Sequence, residues 1–333
     1  MFSGQGSHYY HMGKDLYQKD PIFKKWLDEA NDVASPILGK SIIDIMYDES
    51  KKMTDPFVQT QEACSAIVIQ GYAMAKFLIE KGIKPDYLLG SSLGEITACI
   101  IGGGVELHDA LLGLSKQLSL IEKKCKKGKM IGILSSPELY QKRRLLNECS
   151  ELAAINSKSH FVVSCHERHT TQIENELRTQ NVDFQTLPVA NAYHCSLLDP
   201  VEMVFNEIAA DMPFRSPSIP VVSCAHAEVI NSLNVSYLWD IYRQPIRFQD
   251  TVQMLVKQQG CIFLDVGPSG TLSNFVKSNL AKDSKSESFP ILTSFRNDVA
   301  NFDKIQHYFE SSNEDHICVS PTNVGNSAVI QAD

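Results

Sequence analysis

Positive charge is scarce in this 333-residue chain: 31 lysines and arginines stand against 39 aspartates and glutamates, and the formal net charge is −8. Nucleic acid and anionic membrane surfaces both call for a positive field, so neither is expected as a partner. Cys-x-x-Cys spacing is missing as well. The nine cysteines (64, 99, 125, 149, 165, 195, 224, 261 and 318) are odd in number and scattered, which argues against a disulfide framework or structural zinc and for a reducing, cytoplasmic setting. No apolar run reaches the roughly 18 residues of a membrane span, and no charged leader precedes an apolar segment, so insertion and secretion are not expected. What remains is ordinary for a globular protein with a substantial core, at 43% hydrophobic and 21% charged residues.

The most informative stretch is Tyr87-Leu88-Leu89-Gly90-Ser91-Ser92-Leu93-Gly94-Glu95-Ile96-Thr97-Ala98, an apolar run that ends in Gly-x-Ser-x-Gly and continues at helical spacing. Such a pentapeptide also arises by chance in loops. Here Pro85 punctuates the approach, Leu88 and Leu89 supply a short strand, and Ile96, Ala98 and Ile100 follow as a helix. That is the layout of a nucleophile elbow, and Ser92 is the candidate nucleophile. A serine hydroxyl needs a base near neutral pH, and His194, in Asn191-Ala192-Tyr193-His194 between a strand and a helix, is the best of ten histidines.

Along the chain, 12–30 and 57–82 read as helices, the latter buried and closed by Lys81-Gly82, and 107–121 as an amphipathic helix. From residue 130 the elements shorten: strand 130–134, helix 137–147, strands 152–156 and 161–165, helix 170–179 and strand 182–189. That βαββαβ order is the ferredoxin-like split pattern. Later, 261–266 reads as a buried strand turning at Gly267-Pro268-Ser269-Gly270 into a helix, a turn that also suits an anion. The expected organisation is α/β: a core of residues 1–126 and 191–310, a small subdomain at 127–190, and a flexible tail at 311–333.

Two features keep two readings each. Ser3-Gly4-Gln5-Gly6-Ser7 is either a surface turn or a site that offers the N–H of Gln5. Lys123, Lys124, Lys126, Lys127 and Lys129 form either a solvated helix end with Gly128 closing the turn, or a docking patch for an acidic partner.

Taken together, Phe2-Ser3-Gly4-Gln5-Gly6-Ser7, Gly90-Ser91-Ser92-Leu93-Gly94-Glu95, Asn191-Ala192-Tyr193-His194, Tyr242-Arg243-Gln244-Pro245-Ile246-Arg247-Phe248 and Asp265-Val266-Gly267-Pro268-Ser269-Gly270 resemble the malonyl-CoA:acyl-carrier-protein transacylases and polyketide synthase acyltransferases. Five motifs in order span about residues 2–281. The resemblance implies an α/β-hydrolase-like core with an inserted ferredoxin-like subdomain. It also implies a Ser92–His194 dyad, an oxyanion hole from the N–H groups of Gln5 and Leu93, and the Gln244 carbonyl orienting the histidine. Ser91, Gln117 and Tyr193 would line the substrate pocket. No metal or redox cofactor is implied, and the phosphopantetheine arm enters with an acyl carrier protein of a polyketide synthase, the implied partner.

The departures carry information. The family has an apolar strand before its first glycine motif, so a trimmed or misassigned start is expected here. Position 91 is serine where the family has histidine. Most consequentially, Gln117 stands where malonyl-selective members have an arginine, whose two-pronged bond to a carboxylate is worth about 1.5–3 kcal/mol. Lys116 points about 100° away and does not replace it. Gln117 resembles the pattern of the acyl-hydrolase branch of trans-acyltransferase polyketide synthases, which clears acyl groups from carrier proteins.

Overall fold

The computed structural model describes residues 1–257 and 260–315. Local signals account for its helices. The pattern at 12–30 is interrupted by Asp20: α1 spans Lys14–Lys19 and α2 spans Pro21–Leu38, with the Asp20 carboxylate accepting from the N–H groups of Ile22 and Phe23. Pro21 occupies the first turn, where no N–H is needed. After α3 (Ile42–Met46) comes α4 (Thr60–Glu80), apolar on nearly all sides as an enclosed helix must be. By length and composition α4 could cross a membrane; in this fold it is enclosed by α2, α5 (Leu93–Ile101) and α6 (Leu107–Lys124). Phe77 of α4 meets Phe23 of α2 edge-on at 6.0 Å and Phe302 at 4.6 Å, and truncating so buried a phenylalanine to alanine costs about 3–5 kcal/mol.

β1 (Leu88–Leu89) leads into α5, and the chain then builds a second sheet. Its strands are β2 (Gly128–Ile133), β3 (Glu151–Ser157), β4 (His160–His166) and β5 (Phe184–Thr186), antiparallel in the order β3-β4-β2-β5. The helix expected at 137–147 is broken into α7 (Glu138–Lys142) and α8 (Arg144–Cys149), because Arg143 is extended and reaches Gln180 at 2.5 Å. The strand expected at 182–189 shortens to β5, paired with β2 over three residues. Gly128 opens β2 rather than closing the helix before it, since α6 already ends at Lys124.

Alternation divides this sheet's work. Ile131 and Ile133 of β2, with Phe161, Val163 and Cys165 of β4, pack against Leu146 of α8 and against Ile173 and Leu177 of α9 (Thr170–Thr179). With a side-chain period of two, Met130, His160 and Val162 are left on the opposite face, and all three line a cavity.

Beyond α10 (Glu202–Ala210) the chain returns to the first sheet. β6 (Val221–Ser223) pairs in parallel with β1 and antiparallel with β7 (Glu228–Ile230), and α11 (Val235–Arg243) and α12 (Phe248–Val256) follow. β8 (Ile262–Asp265) and β9 (Glu287–Pro290) form a parallel pair with α13 (Thr271–Asn279) between them in the chain. Residues 1–2 join the two sets. The Phe2 N–H donates to Leu89 and the Ser91 N–H to Phe2, while the Met1 amino group donates to Leu264 and the Val266 N–H to Met1. Parallel strands covered by helices make this an α/β fold. α14 (Asp298–Asp315) carries helix past the expected tail boundary at 311, and residues 316–333 of that tail lie outside the described residues.

Candidate active site

Close backbone approach shapes the elbow. A Cβ on Gly94 would lie 2.0 Å from the Phe2 carbonyl oxygen, and one on Gly90 would lie 2.3 Å from the Glu95 backbone, so both positions require glycine. Ser92 between them has φ 55° and ψ −125°, a region that costs a residue with a side chain about 1–3 kcal/mol. Glu95, in the first turn of α5, holds that turn down: its carboxylate accepts from the N–H groups of Cys224 and Ala225 and from the Tyr237 hydroxyl. Burial pushes the Glu95 carboxyl up to about 7.

His194 is placed by the C-terminal end of α11. Its N–H donates to the Tyr242 carbonyl at 2.8 Å, and its Nδ1 lies 2.8 Å from the Gln244 carbonyl oxygen. A carbonyl only accepts, so Nδ1 carries the proton and Nε2 presents a lone pair. That Nε2 is 2.8 Å from Ser92 Oγ. Burial lowers the imidazole pKa to about 4, so it is neutral near pH 7 and able to take the serine proton.

The pair opens on a cavity of about 280 Å³. Gln5 and Leu93 line it beside Ser92, and among the described residues neither N–H has a backbone acceptor. The turn that presents Gln5 is held by the Ser7 hydroxyl, which donates to the Gly4 carbonyl at 2.8 Å. Ser91 and Tyr193 also line the cavity. Gln117 does not, which corrects its expected place in the lining: it is buried on α6 behind Tyr242, whose hydroxyl donates to its Oε1 at 3.1 Å. Among the described residues, no lysine, arginine, aspartate or glutamate lines the cavity.

Several contributors were not singled out from sequence. Asn156 and His160 reach the cavity from β3 and β4, their Nδ2 and Nδ1 3.1 Å apart, and the Phe275 ring of α13 lies 4.8 Å from the His160 ring, tilted by 48°. Asn156 and His160 face each other across the β3–β4 hairpin, while Phe275 joins them only through tertiary packing. Lys123, Lys124, Lys126 and Lys127 are exposed around the α6–β2 connection, whereas Lys129 is partly buried and donates to the Val189 carbonyl. Arg168 enlarges the patch: with Lys126 and His169 it adds to burial in lowering the pKa of His166.

A serine on a strained strand-to-helix turn, facing a neutral imidazole and unspent N–H groups, gives this α/β protein a geometry in which an acyl-serine can form. Comparison with known proteins agrees with that class. Residues 1–317 match the acyl transferase domain family, and the chain belongs to it. It is 37% identical over 308 residues to the polyketide biosynthesis acyltransferase homolog PksD of Bacillus subtilis, covering 92% of this chain and 95% of that one. It is also 37% identical over 306 residues to BaeD of Bacillus velezensis, with 92% and 94% covered. Among solved structures, the SpnD acyl transferase domain superposes with a TM-score of 0.84 at 24% identity, covering 94% of this chain and 76% of that chain. MCAT from Streptococcus pneumoniae does so at 0.75 and 26% identity, covering 92% and 98%.

Proposed function

We propose that this protein removes neutral acyl groups from the acyl carrier proteins of a polyketide synthase, through an ester on Ser92 that water then hydrolyses. In the first step Ser92 Oγ attacks the thioester carbonyl as His194 Nε2 takes its proton. The C–S bond then breaks, and the carrier thiol leaves with that proton. In the second step His194 deprotonates water, which attacks the ester and releases a carboxylic acid and free Ser92. The N–H groups of Gln5 and Leu93 hold the oxyanion in both steps, with Gln244 keeping the imidazole in its tautomer.

One observation carries the choice of acyl group: among the described residues no charged side chain lines the cavity, and Gln117 is buried and bonded to Tyr242 where a cation would serve a malonyl carboxylate. An isolated carboxylate in that wall would lack its counter-charge. The exposed lysines with Arg168 suit an acidic carrier protein, and no cofactor enters the scheme. The strand order β3-β4-β2-β5 with helices on one face supports reading residues 127–190 as a ferredoxin-like subdomain on an α/β-hydrolase-like core of 1–126 and 191–310. The scattered cysteines suit an enzyme working in the cytoplasm.

A transacylase is the second reading, favoured by the family and by the acyltransferase names of its relatives. The two separate in one experiment: acetyl-, butyryl- and malonyl-loaded carrier proteins are incubated with the protein or with Ser92→Ala and followed by intact mass. Free carrier from the neutral forms, absent with Ser92→Ala, is the expected result. Acyl groups that move only to a second carrier would make it a transferase, and no Ser92-dependent change would leave a carrier-docking module.

A further inference from the structure

Ser92 and His194 meet at 2.8 Å, yet different parts of the fold carry them, and one helix grips both carriers. The C-terminal end of α11 holds the imidazole: the Tyr242 carbonyl takes the His194 N–H, and the Gln244 carbonyl takes Nδ1–H. The first turn of the same helix holds the elbow. Its Tyr237 hydroxyl donates to Glu95 Oε2 at 2.7 Å, and the Glu95 N–H donates in turn to the Ser92 carbonyl at 2.8 Å. Tyr237 and Tyr242 are separated by about 7.5 Å along the helix axis, so α11 is a short rigid spacer between the two reacting groups.

A carboxylate is a costly group to bury at that junction. Glu95 is buried and so is Tyr237, and two apolar side chains would hold α5 against α11 without desolvating a charge. What the carboxylate adds is register. Its Oε1 accepts from the N–H groups of Cys224 and Ala225, both at 3.1 Å, its Oε2 accepts from Tyr237, and the Ser223 hydroxyl is hydrogen-bonded to it as well. The Cys224 carbonyl takes the Arg247 N–H at 2.7 Å, just beyond Gln244. Through these bonds the elbow is tied to the chain before and after the carbonyl that sets the imidazole. Neither Glu95 nor Tyr237 lines the cavity, so neither is placed to touch substrate.

We infer that the Glu95–Tyr237 bond is a strut that sets the Ser92–His194 alignment, which makes both of them positioning residues for acylation of Ser92. Without the Tyr237 hydroxyl the elbow is free to shift against α11, while the imidazole stays on its two carbonyls. A misplacement of about 1 Å between reacting groups costs about 100-fold in rate. Substrate binding is untouched, because the cavity lining is unchanged. The inference rests on the acyl-Ser92 reading above.

The test follows Ser92 in the full chain by two routes: labelling with a fluorophosphonate probe, which needs no acyl substrate, and acyl-Ser92 formation from butyryl-carrier protein over a range of concentrations. The variants are Tyr237→Phe, Glu95→Gln and the two combined. Tyr140→Phe is the control, since it removes a hydroxyl bond to the Ser150 carbonyl outside the site. Tyr237→Phe is expected to lower both the maximal acylation rate and the labelling rate by about 10- to 100-fold, with the half-saturating concentration unchanged. Glu95→Gln leaves one oxygen for the same donors and should lose several-fold or more. The combined variant should be no slower than the slower single one, because both changes break one strut. Tyr140→Phe should keep the wild-type rates. Wild-type maximal rates in folded Tyr237→Phe, a loss confined to half-saturation, losses that multiply in the combined variant, or an equal loss in Tyr140→Phe would each overturn the inference. Should Tyr237→Phe not fold, the rates of Glu95→Gln decide in the same way. Labelling of wild-type Ser92 without acylation by the carrier substrate would reject the acyl-enzyme reading and leave the labelling rates to judge the strut, and a wild-type Ser92 that is neither labelled nor acylated overturns both.

Discussion

Replacing Gln117 with arginine tests the selectivity argument at its root. Gln117 is 1% exposed, and its one hydrogen bond is from the Tyr242 hydroxyl, so an arginine there meets no carboxylate in the lining. An uncompensated buried charge costs about 3–5 kcal/mol, so Gln117→Arg is expected to melt several degrees below wild type. The longer arginine side chain is expected to reach past Tyr242 into the cavity, where a malonyl carboxylate supplies the missing charge. A charged two-pronged bond is worth about 1.5–3 kcal/mol, which raises malonyl over butyryl loading of Ser92 by about 10- to 150-fold. The assay is intact mass of the acyl-enzyme against time with both substrates, beside thermal melting. Gln117→Leu serves as a neutral control that should gain nothing. A folded Gln117→Arg whose malonyl-to-butyryl ratio matches wild type would refute the assignment of this wall to acyl selection.

Three further expectations follow from particular groups. Because burial lowers His194 to about 4, acyl-Ser92 formation should stay level from pH 8 down to about 5 and fall as the pH passes about 4; a limb near 6.5 would mean a solvated imidazole. Glu95 is raised from 4.5 to about 7, so the folded state binds a proton the unfolded state has released, and stability should decline by about 3 kcal/mol as pH rises between those values. Glu95→Gln should flatten that slope in urea melts taken at pH 5 and pH 8, and an unchanged slope would sink the assignment. Reversing Lys123 and Lys127 to glutamate should raise KM for acyl-carrier protein several-fold at low salt and less at high salt, while leaving a small acyl thioester unaffected. Equal effects on both substrates would count against docking there.

How far the sequence reveals this molecule varies with the kind of constraint. The elbow is readable because its glycines are dictated by local backbone collision with Phe2 and Glu95. The buried α4 and the order of strands and helices after residue 127 are readable from periodicity, although Arg143 splits one helix where the pattern ran on. Boundaries at Lys124 and Gly128 shifted because pairing of β2 with β4 begins earlier than its apolar run. Gln117 was misplaced for another reason: helical spacing sets the direction of a side chain but not the Tyr242 hydroxyl that intercepts it. Asn156 and His160 meet across one hairpin, but Phe275 joins them only through tertiary packing, and nothing in the apolar pattern of either segment marks them as cavity residues.

The separation of the reacting pair in the chain has a consequence for the protein's birth. Ser92 precedes His194 by 102 residues, and the carbonyl that sets the imidazole's tautomer comes 50 residues later still. At about 5–20 residues per second of synthesis, the serine waits roughly 5–20 s for its base and several seconds more for the Gln244 carbonyl. The segment that forms the four-stranded sheet is synthesised within that interval. The arrangement of hydroxyl, imidazole and carbonyl is therefore incomplete until Gln244 has been made, and a chain halted before that point carries Ser92 without the carbonyl that sets the imidazole's tautomer.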